Sequence, residues 1–344
     1  MAPGTGITVY STCPSSTDLT PEQFRRQALD VARWSESHGC RGLLIYTDNT
    51  LVDPWSAAQM IIARTERLVP MVAVQPVYLH PYSAARMIST IGHLYRRGVD
   101  LNLVTGGFGA HLRALGDDLG HDERYDRLVE YGGLVMRLLN GGRPVSHRGT
   151  HYRLTAASIS PVLPRELLPE VFVSGSSPAA VVAAGTLDAT RLAYPHPIQH
   201  YDPDDVASGT GLHSTGLRVG IIARADGAEA WRIAAERFPS DQSGERLHDL
   251  AARFVESVWH QRLSEQARRS SEPLGPYWLY PFRAYSTFCP YLVGSYAQVG
   301  QLLSGYLALG VGTIILDVPR DEEDLHHAQV ALGHATAAGL APAG

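Results

Sequence analysis

The chain has 344 residues, of which 44% are hydrophobic, so it can form one large α/β barrel or two average domains. Its formal net charge of −5 gives no electrostatic reason to expect a nucleic acid or an anionic membrane as a partner. No segment approaches the roughly 18 apolar residues that a membrane helix needs, and the amino terminus lacks a secretory signal pattern. Three cysteines without metal-ligand spacing argue against a disulfide framework and favour a cytoplasmic location.

Helical and β-rich segments alternate along the chain. Thr20 is the predicted N-cap of the first helix, Gln23 completes a capping box, and Gly39 ends the helix. The order helix end, glycine, β-rich run recurs in SHG-CRGLLIYT, RRG-VDLNLVT and ALG-VGTIILDV, which indicates a parallel sheet with crossover helices. The predicted strands are Ile7–Ser11, Leu43–Thr47, Val69–Gln75, Leu101–Thr105, Glu170–Ser174, Thr190–Tyr194, Leu217–Arg224 and Thr313–Asp317.

Eight strands close a (β/α)8 TIM barrel, which we predict as a single domain over residues 1–344. An open doubly wound sheet is the competing fold, but STCPSST after the first strand is unlike its glycine-rich turn. The predicted helices between the strands cover residues 54–67, 81–97, 123–140, 178–186, 228–237, 244–268 and 295–309.

Three stretches are longer than ordinary barrel loops. Residues 141–168 are predicted to contain a short strand or hairpin, and residues 196–216 are polar and rich in glycine and serine. The largest insertion, residues 239–292, separates strands seven and eight. Its aromatic run, 277–291, indicates a lid or a wall of the substrate pocket. The alternative is that these aromatic side chains only pack against the outside of the barrel.

Polar residues cluster just past the ends of two predicted strands, where an α/β barrel builds its active site. The fourth strand contains Asn102-Leu103-Val104 and runs into Thr105-Gly106-Gly107, and a loop then leads to His121-Asp122-Glu123-Arg124-Tyr125. The fifth strand runs into Ser174-Gly175-Ser176-Ser177 and a helix. Hydroxyl and N–H groups at a helix amino terminus suit a phosphate, although small residues are also common in any β–α turn.

The segment NLVTG, loop, HDERY closely resembles the luciferase-like flavin monooxygenases, especially their alkanesulfonate monooxygenase branch. The resemblance extends over roughly residues 5–330. It implies that residues 174–177 and Tyr125 bind the FMN phosphate and that Asn102 and Thr105 face the flavin ring. For Asn102 the alternative is an ordinary polar residue inside the barrel. The cofactor-binding residues that the resemblance implies are Asp48, Asn102, Thr105, His121, Tyr125, Ser174, Gly175, Ser176 and Ser177.

Some positions have a structural alternative. His121 and Arg124 either contact the cofactor or only support their loop, and Asp53 is predicted as a helix N-cap rather than a catalyst. Cys13 is predicted as a buried, inert thiol rather than a nucleophile. His196, two residues after the sixth strand, is only a minor candidate for an acid or base.

The resemblance implies two catalytic arginines. Arg218 matches an arginine that faces substrate and peroxyflavin, and Arg283 matches one on a mobile loop that closes over the site. The alternatives are a barrel-surface ion pair for Arg218 and an ordinary loop arginine for Arg283.

Four positions depart from the alkanesulfonate branch. Gly220 replaces a histidine, Leu51 a cysteine and Cys13 a histidine, and Asp317-Val318-Pro319 stands where a tyrosine is expected. We therefore expect a substrate other than a simple alkanesulfonate.

The resemblance implies a two-component monooxygenase that receives reduced FMN (FMNH2) from an NAD(P)H-dependent flavin reductase. With O2, such an enzyme oxygenates a small organic substrate through a C4a-(hydro)peroxyflavin. The resemblance also implies a homodimer or homotetramer, and no metal site is predicted. One alternative is an F420-dependent oxidoreductase on the same barrel, and the other is a non-catalytic flavin-binding subunit.

Overall fold

The structure is a computed structural model that describes residues 6–202, 212, 214–252, 257–269 and 272–339. The strands are β1 (Thr8–Thr12), β2 (Gly42–Ile45), β3 (Val69–Val74), β4 (Asp100–Leu103), β5 (Val145–Arg148), β6 (Arg153–Ala157), β7 (Val171–Ser174), β8 (Thr190–Ala193), β9 (Thr215–Arg224), β10 (Tyr277–Trp278), β11 (Tyr291–Ser295) and β12 (Val311–Leu316). The helices are α1 (Pro21–Ser37), α2 (Pro54–Ile62), α3 (Pro81–Tyr95), α4 (Gly109–Ala114), α5 (His121–Leu139), α6 (Pro178–Thr186), α7 (Gly227–Arg237), α8 (Gln242–Ala251), α9 (Val258–Arg269), α10 (Tyr280–Arg283), α11 (Tyr296–Ala308) and α12 (Glu322–Gly339).

The fold class is the predicted (β/α)8 TIM barrel with insertions. The eight predicted barrel strands correspond to β1, β2, β3, β4, β7, β8, β9 and β12 in the described residues. The predicted helix at 178–186 has the observed bounds of α6, and most other boundaries differ by a few residues. Part of the insertion at 196–216 lies outside the described residues.

The chain divides into two compact units, which we call the central and the terminal unit. The central unit comprises Cys13–Arg33 and Gly42–Arg191. Its strands β2, β3, β4 and β7 pair in parallel in that order, with Ala73 opposite Asn102 and Leu103 opposite Val173. The predicted N-cap at Asp53 is confirmed, since its carboxylate accepts the Ser56 N–H at 2.8 Å. Because these four strands are parallel, their carboxyl ends lie at the same edge of the sheet, where β4 carries Asn102 and β7 ends at Ser174.

The terminal unit comprises Met1–Thr12, Trp34–Arg41 and Leu192–Gly344. Strand β12 pairs in parallel with β1 on one side and with the first half of β9 on the other. The second half of β9 pairs in parallel with β11, with Ile221 opposite Leu292, and β10 pairs antiparallel with β11. Strand β11 was not predicted, because it begins at the last residue of the aromatic run and crosses the end of the predicted insertion.

The insertions have definite structures in the described residues. Strands β5 and β6 form an antiparallel hairpin, which confirms the hairpin predicted within 141–168. The helix predicted at 244–268 is instead described as two helices, α8 and α9. Most of the aromatic run belongs to the core of the terminal unit, where Tyr277, Phe282 and Tyr291 are buried. Burial of these rings stabilises the terminal unit. A lid or a wall of the substrate pocket formed by this run stays a prediction.

Gly220 in β9 leaves space for an aromatic ring. A Cβ atom at this position would stand 2.3 Å from the ring of the buried Tyr291. We expect Gly220→Ala to lower the free energy of unfolding by about 1–3 kcal/mol, because a packed ring cannot yield without strain. The urea-unfolding midpoint measures this change.

The matched control is Gly312→Ala in β12, where an added Cβ would meet nothing within 4 Å. We expect this change to stay within about 0.5 kcal/mol of the original protein. Equal effects of the two substitutions would contradict the packing argument.

Candidate functional site

A hydrogen-bonded cluster joins the ends of β4 and β7 to the first turn of α5. The Tyr125 hydroxyl donates to the carbonyl oxygen of Ser174 at 3.0 Å, and the Ser174 hydroxyl donates to Asn102 Oδ1 at 2.7 Å. The side chains of Thr105 and Ser177 act in the direction of a lower pKa for the Tyr125 hydroxyl, but burial outweighs them. Burial raises the pKa of Tyr125, so the phenol stays protonated and can donate a hydrogen bond at neutral pH.

Only glycine fits at position 175. Its φ is +146°, a value that L side chains rarely adopt, and a Cβ atom there would stand 2.3 Å from the Tyr125 hydroxyl oxygen. The same Cβ would stand 2.7 Å from the Cβ of Ala180 in α6. The backbone therefore comes close to both the tyrosine and the following helix.

The amino terminus of α6 offers donors to an anion. Ser177 is the N-cap, its hydroxyl accepts the Ala180 N–H at 3.2 Å, and Pro178 occupies the first turn. The hydroxyl oxygen of Ser176 is buried and has no hydrogen-bond partner among the described residues. Buried hydroxyl groups normally have a partner, so this one indicates that a ligand completes the site. The residues present fit a phosphate group.

Two further predicted cofactor residues, Asp48 and His121, have partners close in sequence. Asp48 accepts hydrogen bonds from the backbone N–H of Thr50 at 2.6 Å and from its hydroxyl at 2.7 Å, so its carboxylate caps a local turn. His121 bonds Asp122 at 2.6 Å, and its ring lies 5.2 Å from that of Tyr125. Arg124 is buried and donates to the carbonyl oxygen of Leu119 at 2.9 Å, as expected of a residue that supports the loop.

In the terminal unit, Arg218 belongs to a buried polar cluster around Asp317. Arg218 Nη2 lies 3.1 Å from Asp317 Oδ1, and both side chains are only 9% exposed. The other carboxylate oxygen accepts from the Thr287 hydroxyl at 2.5 Å and from the Tyr291 hydroxyl at 3.0 Å. The charges of Arg218 and Asp317 therefore compensate each other within the fold.

The sequence analysis missed Tyr291 and the role of Asp317. Two departures from the family pattern, Gly220 and Asp317, are visible in the sequence, but nothing in the sequence shows that they are connected. Tyr291 connects them, because its ring packs on Gly220 while its hydroxyl donates to Asp317. The two departures are one change in packing and hydrogen bonding.

Arg283, on α10, is held by α8. It donates to both carboxylate oxygens of Asp249, at 2.7 and 2.9 Å, and to the backbone carbonyl oxygen of Glu245 at 3.2 Å. His248 Nδ1 lies 3.2 Å from the same guanidinium. Arg283 therefore ties α8 to α10 and belongs to a side-chain cluster different from the Asp317 cluster that holds Arg218.

The cysteines are free and inert. Burial raises the pKa of Cys13 to about 12, so its thiol is not ionised at neutral pH and the buried thiol fits the prediction made for it. Within the described ranges, no group of three or more His, Cys, Asp or Glu side chains could hold a metal ion. No helix in the described part of the chain is long and apolar enough to cross a membrane.

A family model of luciferase-like monooxygenases matches residues 7–312. The chain belongs to this family. One relative is 32% identical over 309 residues, which cover 89% of this chain and 90% of the relative. That relative is the 4-(gamma-L-glutamylamino)butanoyl-[BtrI acyl-carrier protein] monooxygenase BtrO of Niallia circulans.

Solved structures share the fold of this luciferase-like protein. The EDTA monooxygenase EmoA from Chelativorans sp. BNC1 aligns with a TM-score of 0.70 at 14% identity, over 97% of this chain and 95% of its own. The oxygenating constituent of 3,6-diketocamphane monooxygenase from Pseudomonas putida, in complex with FMN, aligns with a TM-score of 0.68 at 14% identity, over 98% and 99% of the two chains. Family membership and the relative together make this protein an enzyme, a flavin-dependent monooxygenase.

The contact between Arg283 and His248 has a measurable consequence. Burial and the nearby guanidinium lower the pKa of His248 from its ordinary value of 6.5 to about 4. We expect the imidazole carbon and proton shifts of His248 to titrate near this value, and Arg283→Gln to raise its pKa part of the way back, because burial remains. NMR titration measures both values, with the exposed Arg246→Gln in α8 as the control.

The lowered pKa of His248 also makes the free energy of unfolding depend on pH. The unfolded chain takes up a proton at His248 near pH 6.5, whereas the folded chain does so only near 4. The contribution of this group to stability is therefore complete above pH 6.5 and is lost as the pH falls from 6.5 to 4. An unchanged His248 pKa in Arg283→Gln would contradict the assigned cause.

Proposed function

We propose that this monooxygenase uses FMNH2 and O2 in a two-component system and oxygenates an acyl chain carried as a thioester on an acyl carrier protein. The observation that carries the cofactor assignment is the buried Ser176 hydroxyl without a partner in the described residues, at the amino terminus of α6. A phosphate supplies the missing acceptor oxygens, and the helix dipole favours its charge. FMN has such a phosphate.

Different residues of the central unit would bind different parts of the cofactor. The amides at the start of α6, with Ser176, Ser177 and Tyr125, would hold the phosphate. Asn102 and Thr105, at the end of β4, would give fixed polar partners to the carbonyl and N–H groups of the flavin ring. Asp48 and His121 would lie at the margin of the bound cofactor.

Bound FMNH2 supplies two electrons, so that one atom of O2 enters the substrate and the other leaves as water. An NAD(P)H-dependent flavin reductase would deliver the reduced cofactor. The task of the protein is to exclude water and to orient the substrate. Arg218 and Arg283 are each paired with a carboxylate in this structure, so we propose that they stabilise negative charge in the reaction only after they separate from Asp317 and Asp249.

The ion pair between Arg218 and Asp317 supports a substrate that is not a sulfonate. A guanidinium that is already compensated by a buried carboxylate attracts a second anion weakly, because the pair has no net charge. The family position that reads histidine in the alkanesulfonate branch is Gly220, packed under Tyr291. The compensation of Arg218 by Asp317 and the glycine in place of a histidine at position 220 both leave fewer polar groups to bind a free sulfonate.

The substrate class comes from the relative that is 32% identical over nearly its full length, whose named substrate is an acyl group on a carrier protein. The test is to mix this enzyme and FMNH2 with an acyl-carrier-protein thioester of 4-(gamma-L-glutamylamino)butanoate and ¹⁸O2. Mass spectrometry should find one added ¹⁸O atom per acyl chain. No oxygen transfer to this or a related carrier-bound acyl chain would overturn the substrate class.

Two competing functions have separate readouts. An F420-dependent oxidoreductase would bind reduced F420 more tightly than FMNH2 in an anaerobic fluorescence titration. A non-catalytic flavin-binding subunit would bind FMNH2 and never transfer oxygen to any substrate tested. Oligomeric state and cytoplasmic location stay predictions, and analytical ultracentrifugation would distinguish the expected homodimer or homotetramer from a monomer.

The phosphate assignment predicts a selective effect of Ser176→Ala. We expect this change to weaken FMNH2 binding by about 10-fold, because a hydrogen bond to a charged group contributes roughly 1.5–3 kcal/mol. Reduced riboflavin lacks the phosphate, so its binding should be unchanged. Anaerobic fluorescence titration measures both dissociation constants.

Thr186→Ala, at the exposed far end of α6, is the matched control and should bind both flavins as the original protein does. Equal weakening of FMNH2 and riboflavin in Ser176→Ala would place Ser176 away from the phosphate and remove the main support for the cofactor assignment.

A further inference from the structure

The segment between Glu130 and Glu166 carries positive charge only. It contains no aspartate or glutamate, in a chain whose formal net charge is −5. The β5–β6 hairpin lies in the middle of this segment and belongs to the central unit. The arginines of the segment are all exposed, and they are Arg137, Arg143, Arg148, Arg153 and Arg165. A surface with one sign of charge attracts partners that carry the other sign.

Two of these arginines stand opposite each other in the hairpin. Arg148, the last residue of β5, pairs in register with Arg153, the first residue of β6. Directly opposite residues of an antiparallel pair project from the same face with Cβ atoms about 4.5–5.5 Å apart, and like charges at such positions are destabilising. We call Arg148 and Arg153 the arginine pair.

No described carboxylate compensates the arginine pair. Neither arginine forms an ion pair within 4.0 Å in the part of the chain that the structure describes. The carboxylate of Glu130 is used by the hairpin itself, since it accepts the backbone N–H groups of His151 at 3.0 Å and Tyr152 at 2.9 Å. An anionic partner would therefore relieve a repulsion that no described side chain relieves.

The arginine pair lies on the solvent side of the hairpin. Side chains alternate between the two faces of a strand, and His147, the neighbour of Arg148, points to α5, where its Nε2 lies 2.8 Å from Glu130 Oε1. Arg148 and Arg153 therefore point away from α5, in agreement with their exposure. Both guanidinium groups are accessible to a second macromolecule.

The hairpin is held beside the candidate cofactor cluster within the central unit. Glu130 lies in the same helix as Tyr125, about 7.5 Å further along the axis at a rise of about 1.5 Å per residue. The ring of Tyr152, at the hairpin turn, lies 5.6 Å from the ring of His80, the N-cap of α3. Since His80 follows β3, the turn lies at the carboxyl edge of the sheet, where Ser174 ends β7.

We propose that the arginine pair is the docking site of the carrier protein that delivers the acyl chain, and that it binds carboxylates that the carrier presents beside its thioester arm. A carrier protein stays outside the enzyme while its chain reaches the flavin, so its docking surface has to be exposed and close to the cofactor. Guanidinium groups bind carboxylates through paired N–H donors. The proposal rests on the proposed function for the carrier-bound substrate.

A second copy of this chain fits the arginine pair less well. A two-fold symmetric interface places the same surface patch of both copies together. Two arginine pairs would then face each other, and their charges would repel. A carrier protein with acidic side chains has no such conflict, and complementary charge also raises its rate of association.

The first experiment measures docking without the acyl chain. The probe is the acyl-carrier protein BtrI, bearing its prosthetic thiol arm and no acyl group. Isothermal titration calorimetry uses the full-length protein without flavin. We expect Arg148→Gln and Arg153→Gln each to weaken binding by about 5-fold, the upper effect of an exposed ion pair. Added salt should weaken binding by the original protein more than binding by either variant, because salt screens exposed charges.

The matched control is Arg26→Gln in α1, which removes the same charge from another exposed position of the central unit and should bind BtrI as the original protein does. Thermal unfolding provides a second control. The midpoints of Arg148→Gln and Arg153→Gln should not fall, because each change removes a like-charge repulsion. Lower midpoints in both variants would contradict the repulsion on which the proposal depends.

The second experiment separates docking of the carrier from binding of the acyl chain. For FMNH2-dependent oxygenation of the chain on BtrI, we expect KM to rise by about 5-fold in Arg148→Gln and Arg153→Gln, as for an exposed ion pair, while kcat stays unchanged. The same chain on N-acetylcysteamine is a thioester without a carrier protein. With this substrate both constants should be unchanged in both variants.

The proposal is overturned if BtrI does not bind the original protein, or if Arg26→Gln weakens binding as much as the hairpin variants do. It is also overturned if the hairpin variants alter self-association in sedimentation instead of carrier binding, because the partner would then be a second copy. An enzyme that oxygenates the carrier-bound chain with the same KM in all variants refutes the docking site alone. One that binds BtrI through the arginine pair but transfers no oxygen refutes the reaction alone.

Discussion

The contact between the Tyr125 hydroxyl and the backbone at Ser174 and Gly175 is the constraint on which the cofactor site depends. The buried Tyr125 hydroxyl connects the start of α5 to the end of β7, because it donates to the Ser174 carbonyl oxygen, and the Ser174 hydroxyl in turn donates to Asn102 in β4. The approach is so close that a side chain at position 175 cannot be accommodated. The Ser176 hydroxyl at the start of α6 is thereby part of a tightly packed turn.

A second buried acceptor organises the terminal unit. Asp317 accepts hydrogen bonds from Arg218, Thr287 and Tyr291, as a desolvated carboxylate must if its charge is to be retained. Burial by itself opposes charge, which is why His248 and His260 have pKa values lowered to about 4 and 3.

How far the sequence predicts the structure depends on whether the determining contacts are local. The strands, the cap at Asp53, the start of α6 and the glycine at 175 follow from short-range patterns, and all are found in the structure. Strand β11 and the division of the helix predicted at 244–268 into α8 and α9 were not predicted. Strand β11 has only five residues and begins at the end of the aromatic run, so its signal in the sequence is short. The partners of Arg218 and Arg283 also could not be predicted, because they lie 99 and 34 residues away along the chain.

The sequence by itself determined the alternation of strands and helices, the family and the glycine- and serine-rich turn at residues 174–177, since each depends on residue types at fixed short spacing. Only the tertiary structure decided that Tyr291 links Gly220 to Asp317, that Arg218 is compensated, and that His196 meets Gln266 of α9. These features join segments far apart in the chain. Their distances and burial are set by packing, which no local pattern encodes.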